Sequence, residues 1–397
     1  MMTTPSQSTT GTLKRDVSDT IRHLWPETPI LALVSSGLVK GSDIAQEKGL
    51  IRKRRVESRK YEAFTYSPLA VEFTAASASS GSPISFTVSS GDGLTLKMCL
   101  VNTANWTVCR IGSITTSTTL AVTTIGGTAF SCAAGDTLLA IGPAYEEGSS
   151  DPYVLQKDED NLYNLTQIFR FPVSIARTAQ GAPHYGGNFW KRLKARNIPE
   201  GLRKCEMAML FSQRPSSTNE TTTDAVLADA FHTMRGLYNW KYASIEGGGS
   251  MSHDWFTNEM PLQLHETVGS NTKLIALCGN KTFAQMMSWV NDKLQVYQEG
   301  ERLKRFGMKS YLFTTCKGDI EVVLHDAFNR GEAARSMLIF DPEKYDYVHL
   351  RDDDFKANNN IQSPSTDGTM DEILGEVSIC PNDAGYSTAW IKNTCAA

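Results

Sequence analysis

Between Ala63 and Gly135 the chain carries only four charged side chains, Glu72, Asp92, Lys97 and Arg110. Ser, Thr, Gly and Ala dominate the remainder. Such a composition disfavours helix, because Gly and the short hydroxyl side chains weaken it, while Thr, Val, Ile and Phe suit a pleated, half-buried surface. Apolar and polar residues alternate through Ile84–Val88, Leu94–Met98 and Thr119–Val122, and the breaks between them are rich in Gly and Ser. The pattern predicts an all-β module of about five or six short strands. Cys99 and Cys109 are placed to face each other across one of its hairpins.

The rest of the chain surrounds this module with ordinary globular sequence. A length of 397 residues exceeds the usual single core and predicts two or three domains. With 39 basic and 43 acidic residues the net charge is −4, so bulk charge does not make the molecule a nucleic-acid binder. No apolar run approaches the ~20 residues that span a bilayer. Met1–Gly11 lacks the basic start and apolar stretch of a signal peptide and reads as a flexible tail, so a cytosolic setting is expected. In that setting the eight scattered cysteines are small buried hydrophobes and free thiols.

Charge is concentrated locally. Within Lys48–Lys60 seven of thirteen residues are basic against the single acid Glu57. Two readings stand side by side: a solvated strand face, or contact with phosphate or an acidic neighbouring chain. A second basic group, Lys191, Arg192, Lys194, Arg196, Arg203 and Lys204, lies on the polar side of a helix expected over Asn188–Ser212. Pro199 and Gly201 should kink or break that helix. Residues 341–376 carry ten acids, and Asp352-Asp353-Asp354 reads as a solvated loop that would repel DNA.

Mixed α and β structure is expected elsewhere. Helices fit Thr12–Leu24, Thr223–Asn239, Glu259–Val268 and Lys281–Lys293. Strands fit Thr166–Ile175, Lys273–Cys278, Ser336–Phe340 and Tyr347–Leu350, with a hairpin of Met308–Thr315 and Ile320–Leu324.

Site chemistry is sparse. The seven histidines are isolated and read as surface residues, no His-Glu-X-X-His occurs, and no metal or cofactor site is expected. Cys278-Gly279-Asn280-Lys281-Thr282 lies between a strand and a helix, but it lacks the Gly-X-X-X-X-Gly-Lys spacing that wraps phosphates. No nucleophile elbow occurs either. No catalytic residue is assigned, and the chain is expected not to be an enzyme.

A resemblance extends this reading. Asn164-Leu165-Thr166-Gln167-Ile168-Phe169-Arg170, preceded by Tyr145-Glu146-Glu147-Gly148 and followed by Val173-Ser174, Thr178 and Gln180, resembles a pattern of tailed-bacteriophage major capsid proteins with the Hong Kong 97-type fold. Further matches keep the family's order: Asp16–Leu24 with Thr28-Pro29-Ile30, Cys205–Phe211, Thr233-Met234-Arg235-Gly236-Leu237, Lys273–Cys278, Phe306-Gly307 and Gly375–Ile379. There are departures. Glu62-Ala63-Phe64 stands where the family often has Glu-Trp, Pro199 and Gly201 interrupt the spine helix, and no residue can be assigned to an intersubunit crosslink.

The resemblance implies an α+β fold of the Hong Kong 97 type with a small all-β insertion. Its parts would be an N-terminal arm (1–62) and an extended loop (63–150) holding the β module (about 84–142). A peripheral domain (151–222) with a spine helix (about 188–212), a mainly axial domain (223–315) and return strands (316–397) would follow. The implied function is self-assembly, through hexamers and pentamers, into the icosahedral head of a double-stranded DNA phage. Portal, cement or scaffold proteins and non-specifically held DNA are the implied partners. Its place would be the virion, assembled in the bacterial cytoplasm. The basic residues Arg52, Lys53, Arg54, Arg55, Arg59, Lys60, Lys191, Arg192, Lys194 and Arg196 are the candidate assembly or DNA-facing contacts. Two rival readings remain, an α/β phosphate-binding enzyme near Gly279–Thr282 and a decoration or host-binding protein built on the β module.

Overall fold

The computed structural model describes residues 51–395 apart from 67–68, 82–83, 150–153, 155–158, 182–187, 216–221, 224–229, 270–271, 294–309 and 352–353. The helix expected over Thr12–Leu24, and the Phe306-Gly307 motif, lie outside the described residues. The chain forms two units: a larger one from residues up to Ala63 and from Leu162 onward, and a smaller one, Phe64–Asn161.

Strands β1 (Arg52–Val56) and β2 (Lys60–Thr65) come first. The smaller unit then runs through β3 (Glu72–Thr74), β4 (Ser79–Gly81), β5 (Ile84–Thr87), β6 (Met98–Asn102), β7 (Val108–Thr116), β8 (Thr119–Ile125), β9 (Phe130–Cys132) and β10 (Thr137–Pro143). Six of these form one sheet in the order β3-β10-β6-β7-β8-β5, and β4 pairs with β9. The alternation seen in the sequence decides which side is buried: Ile84, Phe86, Leu100, Cys109, Ile111, Leu120 and Val122 enter one core, with Phe86 and Phe130 stacked at 5.7 Å. Burying each such side chain contributes about 1.5–3 kcal/mol, which lets a sheet with so few charges hold together.

Two expectations here need correction. Leu94–Lys97 is a turn, not a strand: Lys97 has φ +68°, and β6 starts at Met98. Leu94 and Met98 alternate because both reach the core from either end of that turn. Cys99 and Cys109 do not face each other, since Cys99 is opposite Arg110 and Leu100 is opposite Cys109. One residue of offset puts the two thiols on opposite faces.

The larger unit continues with β11 (Asp160–Leu165), which pairs with β2, then β12 (Gln167–Ala176), α1 (Arg177–Gly181) and the long helix α2 (Phe189–Phe211). A ribbon of β13 (Thr222–Thr223) and β14 (Ala230–Phe231) leads to α3 (Leu237–Trp240), β15 (Ala243–Glu246), β16 (Thr272–Cys278) and α4 (Asn280–Lys293). The hairpin β17 (Ser310–Thr315) and β18 (Gly318–Leu324) follows, then β19 (Met337–Phe340), β20 (Tyr345–Leu350), β21 (Lys356–Asn358), β22 (Gly368–Pro381) and β23 (Ala389–Lys392).

Two sheets organise this unit. One has the order β1-β20-β22-β12 with β21 added against β22; the other runs β15-β23-β19-β16-β18-β17. The inner strands β16 and β19 of the second sheet are buried on both faces along most of their length, so they read as apolar runs rather than alternating ones. Ile275, Leu277, Leu338, Phe340 and Trp390 face a core shared with α2 and the first sheet. Their neighbours Leu274, Ala276, Met337, Ile339 and Ile391 face the opposite side, with Trp289 of α4 and Phe256.

α2 is continuous through Pro199, so of the expected kink or break the break does not occur. Pro199 removes the N–H that would reach Ala195, but Ala195 is exposed, so water can satisfy its carbonyl. Gly201 is required for packing: a Cβ there would lie 2.6 Å from the Phe171 ring. The helix expected over Thr223–Asn239 is also absent from the described part of that span, where β13, β14 and the short α3 stand instead. Gly236 is extended (φ −82°, ψ 167°) and passes so close to Leu210 that a Cβ would meet its backbone at 2.8 Å. The helix expected over Glu259–Val268 is replaced by a π turn, Trp255–Glu259, and a 3-10 turn, Met260–Gln263, with Pro261 near its start.

Candidate assembly surfaces

The basic run around β1 meets an acidic partner in its own chain. β1 lies parallel to β20 at the sheet edge, with Arg52 opposite Asp346 and Arg54 opposite Val348. Asp346 is fully buried, and Arg54 Nε lies 2.7 Å from its carboxylate and Arg52 Nε 3.4 Å away. The Tyr61 hydroxyl donates to the same carboxylate at 3.0 Å. Burial first, and the Asp346 charge second, push that phenol up to about 12. Lys53 pairs with Asp354, which also accepts from the Tyr347 hydroxyl at 2.8 Å. Asp354, expected in a solvated acidic loop, is thus a counter-ion of the basic run.

The remaining candidate cations divide between engaged and outward-facing. Lys60 pairs with Glu62 at 2.9 Å and sits 4.2 Å over the Tyr163 ring, with Arg214 over the same ring at 3.7 Å. On α2, Lys194 pairs with Asp371 and lies 5.0 Å over Trp190, Arg192 lies 5.6 Å over Phe189, and Arg196 pairs with Glu200 at 3.4 Å. Arg55 is exposed on β1. Arg59 and Lys191 are exposed as well, and no ion pair engages them among the described residues. The ten candidates therefore do not form one cationic face: β1 gathers four of them, α2 another four.

The segments that carry the resemblance prove to be joints. Asn164, fully buried, donates from Nδ2 to the Arg235 carbonyl at 2.9 Å and the Ile379 carbonyl at 2.6 Å. Its Oδ1 accepts from the Arg235 N–H at 2.7 Å and the Leu165 N–H at 2.9 Å. One amide thereby ties three distant motif segments. Thr166 donates its hydroxyl to Glu376 at 2.5 Å, and its N–H reaches the Arg59 carbonyl at 2.8 Å. Asn239 caps the end of α2 by donating to the Ser212 carbonyl at 2.8 Å. Asn164 and Arg235 were visible as motif residues; Asp346 and Tyr61 carried no local signal and were missed.

The histidines also need correction, because His325 is buried, not on the surface. Its Nδ1 accepts from the Ala327 N–H at 2.9 Å, so the ring proton sits on Nε2 and points at Glu206, 2.8 Å away. The β16–α4 turn considered for phosphate is filled by protein. A Cβ at Gly279 would lie 2.6 Å from the Ala334 backbone, Asn329 takes the Asn280 N–H at 2.8 Å, and the buried Thr282 hydroxyl bonds Thr394 at 2.7 Å. Among the described residues no cluster of three or more His, Cys, Asp or Glu is placed to hold a metal ion. Among them, too, no helix is long and apolar enough to cross a membrane.

The fold is of mixed α and β make-up, mostly strands with few helices. The chain belongs to the SU10 major capsid protein family, whose pattern matches residues 3–393. It is accordingly a shell protein of a phage head, as the resemblance implied. No curated protein matches it. Similar solved structures include the capsid of a native GTA particle, at 11% identity and TM-score 0.44 over 100% of both chains. Mycobacterium phage Adephagia is similar at 7% identity and TM-score 0.46, covering 98% of each chain. The capsid of Myoviridae phage XM1 is similar at 9% identity and TM-score 0.45, covering 95% of this chain and 96% of that one.

Proposed function

We propose that copies of this chain assemble through hexamers and pentamers into a closed icosahedral head around double-stranded DNA, in a purely structural, non-enzymatic role. The family match over nearly the whole chain carries the proposal. In this reading residues 1–62 are an N-terminal arm, 63–150 an extended loop bearing the β module, and α2 the spine helix of a peripheral domain. The β16–β18 sheet then belongs to the axial domain, portal, scaffold or cement proteins are partners, and assembly takes place in the host cytoplasm.

The charge arrangement supports a shell that encloses DNA without coating itself in it. Each phosphate contact adds salt-dependent affinity. Here Arg52, Lys53 and Arg54 are paired within the subunit, while Arg59 and Lys191 are exposed and, among the described residues, in no ion pair.

Sedimentation of the purified full chain tests the proposal. Megadalton particles or discrete pentamers and hexamers are expected; a monomer that persists across salt and pH overturns it. For the outward cations, Arg59→Gln with Lys191→Gln should lower assembly yield or DNA content while leaving the subunit's thermal midpoint unchanged. Normal heads with normal DNA would remove these residues from the contact set.

A further inference from the structure

Two guanidinium groups come together where the end of α2 runs beside the segment before α3. The Gly236 N–H bonds the Ser212 carbonyl at 2.7 Å, and the Thr233 hydroxyl bonds the Gln213 carbonyl at 2.6 Å. Arg214 and Arg235 extend from these clamped stretches. Arg214 donates from Nη1 to the Tyr163 carbonyl at 2.6 Å, and its guanidinium lies 3.7 Å over the Tyr163 ring. Arg235 donates from Nε and Nη2 to the Asn239 carbonyl, at 2.9 and 2.5 Å, and lies 4.0 Å over the Trp240 ring. Each group therefore keeps donors in reserve, Nε and Nη2 on Arg214 and Nη1 on Arg235.

The pair lacks an acid. Among the described residues neither arginine meets a carboxylate. Lys60, 4.2 Å over the same Tyr163 ring, is answered by Glu62 at 2.9 Å, and Asp346 is held by Arg52 and Arg54. The two remaining positive charges repel each other: burial first, and the Arg214 charge second, pull Arg235 below its ordinary value. Stacking on Tyr163 and Trp240 offsets part of this cost but cancels no charge. Like charges held together and partly desolvated destabilise a fold unless an anion joins them. Both side chains keep part of their surface in water, so an anion from solution can reach them.

We propose that Arg214 and Arg235 form a binding site for a phosphate dianion, whose oxygens take the reserve donors of both guanidinium groups. Charge decides between the candidate anions. A phosphate monoester carries about 1.5 to 2 negative charges near pH 7, enough for both arginines. A carboxylate brings one charge, and so does each phosphodiester of a nucleic-acid backbone. Guanidinium forks also match phosphate oxygens in geometry. The site is separate from the shell-forming role and does not depend on it.

Calorimetry of the full chain with inorganic phosphate, near neutral pH and with ionic strength matched by sodium chloride, tests the site. Arg235 also holds Asn239, which caps α2, so Arg214 is the residue to change. Expected are saturable phosphate binding and a thermal midpoint raised by phosphate more than by chloride. Arg214→Gln should weaken the binding at least about tenfold, and Arg214→Lys, which keeps the charge but not the fork, should weaken it less. Without phosphate Arg214→Gln should melt close to wild type, because the lost contacts are offset by relief of the repulsion. Tighter binding of glycerol phosphate would assign the dianion to a larger ligand and weaker binding to the free ion, and both outcomes keep the site. No saturable binding, acetate or a short DNA duplex binding as tightly as phosphate, or unchanged affinity in both Arg214 variants overturns it.

Discussion

His325 donates its Nε2 proton to the Glu206 carboxylate at 2.8 Å, and both side chains are almost wholly excluded from water. The bond joins α2 to the turn after β18, and the adjacent Arg203–Asp326 pair at 2.7 Å joins the same two elements. His325→Phe keeps an aromatic ring but removes the hydrogen bond that His325 gives the buried Glu206 carboxylate. It should cost about 3–5 kcal/mol in urea unfolding, and His325→Gln, which can still donate, markedly less. Equal losses would show that the ring fills space and nothing more.

Asp346 makes a second test. It is the buried end of a cluster whose arginines keep 59% and 46% of their side-chain surface exposed. Solvent therefore compensates the arginines when the acid is lost, and the main cost of Asp346→Ala is the unsatisfied Tyr61 hydroxyl and the cavity, about 2–4 kcal/mol. Arg54→Gln should cost under about 1 kcal/mol, because one partner is half in water. A double-mutant cycle on the pair measures the coupling.

Gly201 and Pro199 sit two residues apart in α2 and should respond in opposite directions. Alanine is about 1 kcal/mol better than glycine in a helix, but the Cβ at residue 201 would press on the Phe171 ring, itself stacked on Phe355. Overpacking wins, and Gly201→Ala should lose about 1–3 kcal/mol. Pro199→Ala restores a backbone donor and should raise the thermal midpoint.

Glu146 gives a pH prediction. Hydrogen bonds from Lys97 first, and Arg110 second, hold its carboxyl down to about 2, below its ordinary 4.5. A depressed folded value means the contribution is complete above the unfolded value and disappears as pH falls through about 2. The difference in thermal midpoint between wild type and Glu146→Gln should therefore be largest near neutral pH and close on acidification. Because the group is exposed, added salt should shrink it too. A gap independent of pH would detach Glu146 from Lys97 and Arg110 energetically.

Sequence patterns disclosed the elements that bury one continuous face or both. The runs Leu274–Cys278 and Met337–Phe340 are apolar throughout, and α4 carries a clear stripe, so these stood out. Where one residue type served two structures, reading by pattern failed. Met234 and Leu237 have helical spacing, yet Gly236 between them must be extended to pass Leu210. Pro199 signals a break, but an exposed neighbouring carbonyl makes the break unnecessary. The polar joints were least legible, because Asp346 with Arg54, and Glu206 with His325, are brought together only by the finished core.

The Asn164 amide has a consequence for the order of events during synthesis. Its Nδ2 is satisfied by carbonyls of Arg235 and Ile379, the latter 215 residues downstream. β1 likewise waits for β20 before its inner edge is paired. A nascent chain emerging from the ribosome cannot close either joint until nearly all of it has appeared, and such non-local closures are slow. Truncated products are thereby denied the finished core, so the fold itself acts as a proof of length before a subunit is fit to join its neighbours.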